Sequence, residues 1–181
     1  MNTEAISGLV LAGGRGSRMG NVDKGLQPFR GATMVEHVLA RLRPQVGPLA
    51  ISANRNLDTY RAFGATVLPD ELPDYPGPLA GLAAGLRHCA TPFLLAVPCD
   101  SPFLPPDLAA RLLAALEEND ADVAYAATRE TGMRVQPHPV FCLVRASRLP
   151  ELLAYLAEGG RRVDDWHRGL ESVEVLFEDG D

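Results

Sequence analysis

Short apolar runs and helix-periodic runs alternate along this chain almost from end to end, and that alternation is the strongest constraint on its fold. Residues 6–11 are apolar and β-branched and stop at glycines, which reads as a buried strand. Over 33–43, Met34, Val35, Val38, Leu39 and Leu42 recur at helical spacing, with Thr33 as N-cap and Pro44 as stop. A second strand is expected over 46–52, a short helix over 57–63 and a third strand over 65–68. The helix expected over 79–88 carries Gly81 and Gly85, four apart, where it can lie close on a sheet. Then come a strand (91–97), a strong helix (105–119) and a strand (122–127). Residues 128–139 are polar and aperiodic and read as a loop before a strand at 140–144. Ser147 is the expected cap of a helix running to about Glu158, followed by a shorter helix over 161–169 and a last strand over 172–177. Strand and helix in alternation predict an α/β protein with a mostly parallel sheet.

The 181 residues suffice for one domain, 1–181, and no repeat, low-complexity tract or linker divides them. The net charge of −6 argues against a nucleic-acid binder, which would carry a basic stripe, yet leaves room for a local basic pocket. Cys89, Cys99 and Cys142 are odd in number and far apart, so a disulfide framework or structural zinc is not expected; they read as small buried hydrophobes in a reducing cytoplasm. No signal peptide and no run of membrane-spanning length stand out, so neither a membrane nor nucleic acid is an expected partner.

In open α/β sheets ligands bind beyond the carboxyl ends of the strands, so those ends are where function is read. Three features sit there. After the first strand come Gly13, Gly14 and Gly16, whose backbone N–H groups can form an anion nest, with Arg15, Arg18 and Lys24 following. Neither GxGxxG nor GxxxxGK[ST] fits: Met19 stands where a third glycine would be needed, and Gly20 is followed by Asn21-Val22. After the fourth strand comes Asp100, a carboxylate suited to Mg²⁺ held between protein and phosphate, or simply a turn residue before Ser101-Pro102. Asp70, after the third strand, could contact a base or ribose, or close a turn. Together these point to a nucleoside triphosphate with Mg²⁺, and to phosphoryl or nucleotidyl transfer.

The stretch LAGGRGSRMGNVDKGL resembles the LAGGxxxRMGxxDKxL signature of nucleotidyltransferases that act on the molybdenum cofactor. DYPGPLAG (74–81), PCDSPFLPPDL (98–108) and GRRV (160–163) resemble that family's later blocks in order, closest to its guanylyltransferase branch. The resemblance implies a three-layer α/β/α, Rossmann-like nucleotide-binding domain. It implies GMP transfer from GTP to the terminal phosphate of molybdopterin, with release of pyrophosphate. In that reading the backbone of Ala12, Gly13, Gly14 and Gly16 cradles the β- and γ-phosphates, Arg18 and Lys24 neutralise the departing charge, and Asp100 holds Mg²⁺. Leu11, Ser52 and Asp70 fall at guanosine-contacting positions. The family often has asparagine where Ser52 stands, and Asn54, two residues on, shares its strand face if the chain remains extended.

On the pterin side, Gln136, His138, Arg161 and Arg162 are polar groups expected in loops or at helix starts. They are candidate pterin or phosphate ligands; a solvated loop histidine and an exposed helix start are the alternatives. Cations at a helix N-terminus sit against the dipole, which favours an anion nearby. The family also continues past its last strand into an asparagine-containing segment near the metal; this sequence stops at Asp181, as a trimmed C-terminus would. Molybdoenzyme-maturation proteins are the further partners implied. The rival readings are a cytidylyltransferase for the same cofactor, a sugar-phosphate nucleotidyltransferase and a non-catalytic cofactor-binding module.

Overall fold

The computed structural model describes residues 3–13, 22–71, 77–129 and 132–178. Seven strands form one sheet: β1 (Ile6–Leu11), β4 (Leu49–Ser52), β5 (Thr66–Leu68), β6 (Phe93–Pro98), β7 (Val123–Arg129), β8 (Gln136–Arg145) and β9 (Ser172–Glu178), in the order β5-β4-β1-β6-β8-β7-β9. β8 runs antiparallel to both its neighbours, and every other pairing is parallel. Among the described residues six helices cover the two faces: α1 (Met34–Leu42), α2 (Leu57–Arg61), α3 (Pro78–His88), α4 (Leu108–Glu118), α5 (Leu149–Ala157) and α6 (Val163–Arg168).

Period-2 alternation along the central strands builds the two cores. Ile6 and Val10 of β1, with Phe93, Leu95 and Val97 of β6, face α1, α2 and α4; Leu9, Leu94 and Ala96 face α3, α5 and α6. The helices answer with their own stripes: Val35, Val38, Leu39 and Leu42 of α1 and Leu108, Leu112 and Leu116 of α4 on one side, Leu79, Leu82, Ala83 and Leu86 of α3 on the other. Burying both faces explains why β1 and β6 read as nearly continuous apolar runs. The start of α1 is fixed locally, because the Glu36 carboxylate accepts from both the N–H and the hydroxyl of Thr33, each at 2.7 Å.

Two expectations are corrected, and one element was not expected. Residues 128–139 are a loop only in part: β7 continues to Arg129 and β8 already begins at Gln136, with Ala126, Ala127 and Thr128 opposite His138, Pro137 and Gln136. The register shifts between Tyr125 and Ala126, and the β6–β8 ladder ends at the Ala96–Cys142 pair, so Pro137 and Pro139 lie where β8 has β7 on one side only. The described residues of 128–139 are exposed up to Pro137 and half-buried at His138 and Pro139, so the stretch carries no apolar period to read. Ser147 does not cap α5; it lies inside a 3-10 turn, Ala146–Arg148, and Arg148 is the residue before the helix. Finally, a two-stranded hairpin, β2 (Pro28–Phe29) and β3 (Ala32–Thr33), precedes α1. Its turn residues Arg30 and Gly31 both have positive φ, 47° and 86°, as a tight right-twisted hairpin requires.

Candidate active site

The parallel strands deliver the candidate residues to one edge of the sheet. Past their ends the backbones remain zipped: the Ala12 N–H donates to Ser52 O (2.8 Å), Cys99 N–H to Leu11 O (3.1 Å) and Ala53 N–H to Leu68 O (3.0 Å). Leu11 lies between Ser52 and Pro98 in the ladder. One consequence corrects the expected phosphate cradle. The Ala12 N–H is committed to the sheet, so Ala12 sets where the loop starts rather than donating to phosphate.

Beyond β4 and β5, Ser52, Asn54 and Asp70 form a single cluster. Asp70 Oδ2 accepts from Asn54 Nδ2 at 2.7 Å, and Asn54 Oδ1 accepts the Asp70 backbone N–H at 2.8 Å. Asp70 Oδ1 accepts the longer bond from the Ser52 hydroxyl, 3.3 Å. Gly13 lies directly over this group: a Cβ there would be 3.2 Å from Asn54 Nδ2, 3.6 Å from Asp70 Oδ2 and 3.7 Å from Ser52 Oγ. On the other side α3 presses close, and a Cβ on Gly81 would be 2.6 Å from Ser52 Oγ and 2.8 Å from Leu11 Cδ2. The glycine spacing of α3 therefore seats Ser52 as well as the helix. Asn54, expected on the face of Ser52, meets Asp70 as Ser52 does.

Beyond β6, Asp100 faces Lys24, with Nζ to Oδ2 at 3.7 Å and both side chains partly open to solvent. A lone carboxylate beside an ammonium is an unbalanced donor set for a resident metal; among the described residues no group of three or more His, Cys, Asp or Glu side chains comes together. It suits Mg²⁺ that arrives on phosphate and keeps most of its oxygen ligands from phosphate and water. Gly14, Gly16 and Arg18 lie outside the described residues. The neighbouring Cys99 is buried, and its thiol is pushed up to about 12 by burial first and then by the charges of Asp100 and Asp23. It is packing material, not a nucleophile, as the cysteine pattern suggests.

Sequence reasoning missed Asp23. Its side chain is 9% exposed, accepts from the Tyr60 hydroxyl at 2.6 Å and Asn56 Nδ2 at 3.0 Å, and lies 3.9 Å from Arg55 Nε. The signal was its place directly before Lys24, but its partners come from α2 and the turn ahead of it, over thirty residues on.

The pterin-side candidates fall into two pairs. Because β8 is reversed, it begins at the edge where β6 ends, so Gln136 and His138 reach the same edge as Asp100, in a strand rather than a loop. His138 Nε2 is 2.8 Å from Thr128 Oγ1, and its ring meets Phe141 edge-on. Arg162 is the N-cap of α6, which begins at Val163, and Arg161 is the residue before it. Arg161 Nη1 donates to Leu156 O and Gly160 O at the end of α5. Arg162 pairs with Asp164 and Asp165, which hold its guanidinium above its ordinary pKa through the Asp164 hydrogen bond and then their charge. The anion that its position called for is supplied by α6 itself.

A family profile described as "MobA-like NTP transferase domain" matches residues 8–172, which span every element that carries the site. The chain belongs to this family. Relatives in the MobA-like family include the molybdenum cofactor guanylyltransferases of Cupriavidus necator, 55% identical over 96% of this chain and 87% of its own length, and of Ralstonia nicotianae, 55% identical over 98% and 89%. Among solved structures, the molybdopterin-guanine dinucleotide biosynthesis protein A of Archaeoglobus fulgidus superposes with a TM-score of 0.74 at 22% identity, covering 94% of this chain and 83% of that one. The MobA-like fold, an α/β sheet with helices on both faces, is thus the one the strand–helix alternation predicts.

Proposed function

We propose that this chain transfers GMP from GTP to the terminal phosphate of a molybdopterin-type cofactor, forming the guanine dinucleotide cofactor and pyrophosphate. One observation carries the reading. Across adjacent strand ends, in the order β5-β4-β1-β6, the structure sets Asp70, Ser52 with Asn54, Gly13, and then Asp100 against Lys24. In this reading Asp70 is the base-reading carboxylate at one end, Gly13 the close approach in the middle, and Asp100 with Lys24 the charge control at the other. The guanylyltransferase names of the relatives support the choice of acceptor and nucleotide.

The chemistry needs little from acid–base groups. A phosphate monoester is already largely dianionic near neutral pH, its second pKa being about 6, so its oxygen attacks the α-phosphorus of GTP without a general base. The new P–O–P linkage forms as the bond from the α-phosphorus to the bridging oxygen breaks, and pyrophosphate leaves with that oxygen. Lys24 stabilises the charge that accumulates on the leaving group. Asp70 accepts from the guanine N1–H and N2–H₂, a donor pair that adenine lacks. Asp100 would hold Mg²⁺, which when bound polarises the phosphate and shields its charge.

The test is Mg²⁺-dependent pyrophosphate release with molybdopterin, comparing GTP, CTP and ATP. Release with GTP alone is expected. Preference for CTP would move the chain to cytidylyl transfer, and no release with any nucleotide would leave a binding module.

A further inference from the structure

The Asp23 cluster has no place in the transfer chemistry, yet it stands next to the residue that does. An ionised side chain taken out of water costs free energy unless it is well paired, so a nearly buried carboxylate needs a reason. The bonds around Asp23 supply one. Arg55 Nη2 donates to Val22 O at 3.0 Å, Tyr60 and Asn56 donate to the two Asp23 carboxylate oxygens, and Arg55 Nε lies 3.9 Å from the same carboxylate. The Asp23 carbonyl then accepts the Leu26 N–H at 3.3 Å and Gln27 Nε2 at 3.2 Å, closing the 3-10 turn Lys24–Leu26. Within that turn Gly25 lies flat against its neighbours: a Cβ would be 2.6 Å from Tyr60 Oη and 3.2 Å from Cys99 Sγ. The backbone on either side of Lys24 is thus clamped from α2 and seated on the residue that precedes Asp100.

Lys24 itself is more than half exposed, a long flexible side chain whose reach is set by where its backbone is held. We propose that Asp23 is a positioning residue for Lys24, working through the Tyr60, Arg55 and Asn56 clamp. The proposal rests on the nucleotidyl-transfer reading above. It also links the two ends of the site, because Arg55 and Asn56 directly follow Asn54, the partner of Asp70. One turn after β4 serves both the base-reading carboxylate and the lysine.

The test is a double-mutant cycle on pyrophosphate release. Asp23→Asn keeps size and polarity, and is expected to lower turnover by about tenfold in the wild-type background, short of the roughly hundredfold that a 1 Å misplacement can cost. Tyr60→Phe, which keeps the ring, should lower it less. In a Lys24→Ala background both changes should alter turnover by less than about twofold, because their effect has no lysine left to act through. Equal losses in both backgrounds would overturn the proposal and leave Asp23 as a fold anchor.

A second measurement does not depend on turnover. In Asp23→Asn, amide exchange at Leu26 and Gln27 should accelerate while amides of β1 and β6 keep their protection. Unchanged exchange at Leu26 would overturn the clamp whatever the activity. If the wild type releases no pyrophosphate with any nucleotide, the transfer reading fails, and the exchange result still decides whether Asp23 holds the turn.

Discussion

Lys24 and Asp100 make a pair whose value depends on whether substrate is present. With both side chains partly solvated, their attraction in the free protein contributes little to stability. Lys24→Ala should therefore change the unfolding free energy by less than about 0.5 kcal/mol while lowering turnover by about 10²-fold or more, measured by urea titration beside pyrophosphate release. Asp100→Ala should leave the circular dichroism spectrum unchanged and remove Mg²⁺-dependent turnover; full activity would rule out Asp100 as the Mg²⁺ carboxylate. At this scale the sequence was most informative where chemistry is announced by residue type at a strand end. Asp70 could be marked from its place at a strand end; Ser52 and Asn54 joined it through the family resemblance and their spacing along one strand. The role of Asp23 was hidden for the opposite reason: a carboxylate gains its meaning from what surrounds it, and Tyr60 is distant in the chain. The counter-ions of Arg162 were not singled out in the sequence, although they lie two and three residues on, in the helix that it caps.

The elements show how packing reaches the site. α3 lies against β1 and β4 through glycine, so Gly81→Ala should destabilise by about 1–3 kcal/mol, as overpacking does, and should also weaken GTP binding by moving Ser52 off Asp70. Calorimetric titration with GTP separates the second effect from the first. α6 carries a different kind of tension. The ring of His167 is 2% exposed, stacks on Tyr125 at 5.3 Å, and has neither nitrogen hydrogen-bonded. Burial depresses its pKa from 6.5 to about 4, against a smaller pull from Asp164. Between those two values the unfolded chain binds a proton that the folded one refuses. The contribution is therefore complete above pH 6.5 and drains away as pH falls to about 4, by about 3 kcal/mol. His167→Phe should flatten that part of the stability–pH curve in denaturant titrations. Elements with a strong period, such as α1, α4 and β6, could be read from sequence to within a few residues. β2 and β3 could not, because two residues per strand carry no period, and the first residues of β8 were hidden by prolines that only an edge-like position accommodates.

Over the whole molecule, the proposed reaction asks a chain of net charge −6 to bind a triphosphate at one edge of its sheet, so binding should be visible as a property of the entire fold. Mg²⁺-GTP at about a hundred times its dissociation constant adds about 2.7 kcal/mol to the folded state. In a chain of this size that raises the thermal midpoint by about 5–10 °C. The shift should shrink for Lys24→Ala, and scanning fluorimetry would show it. The sheet order has a further consequence for a chain still being made. β1, β4, β5 and β6 pair among themselves, so that half of the sheet can close once Pro98 has left the ribosome. β7 is different, because both of its neighbours, β8 and β9, are synthesised after it. Until Arg145 follows, β7 has no strand to join, and the cluster that holds Leu112 and Leu116 of α4 still lacks Leu143 of β8. A nascent chain that stalls between residues 118 and 145 is the one a chaperone or a protease will meet with its apolar stripe showing.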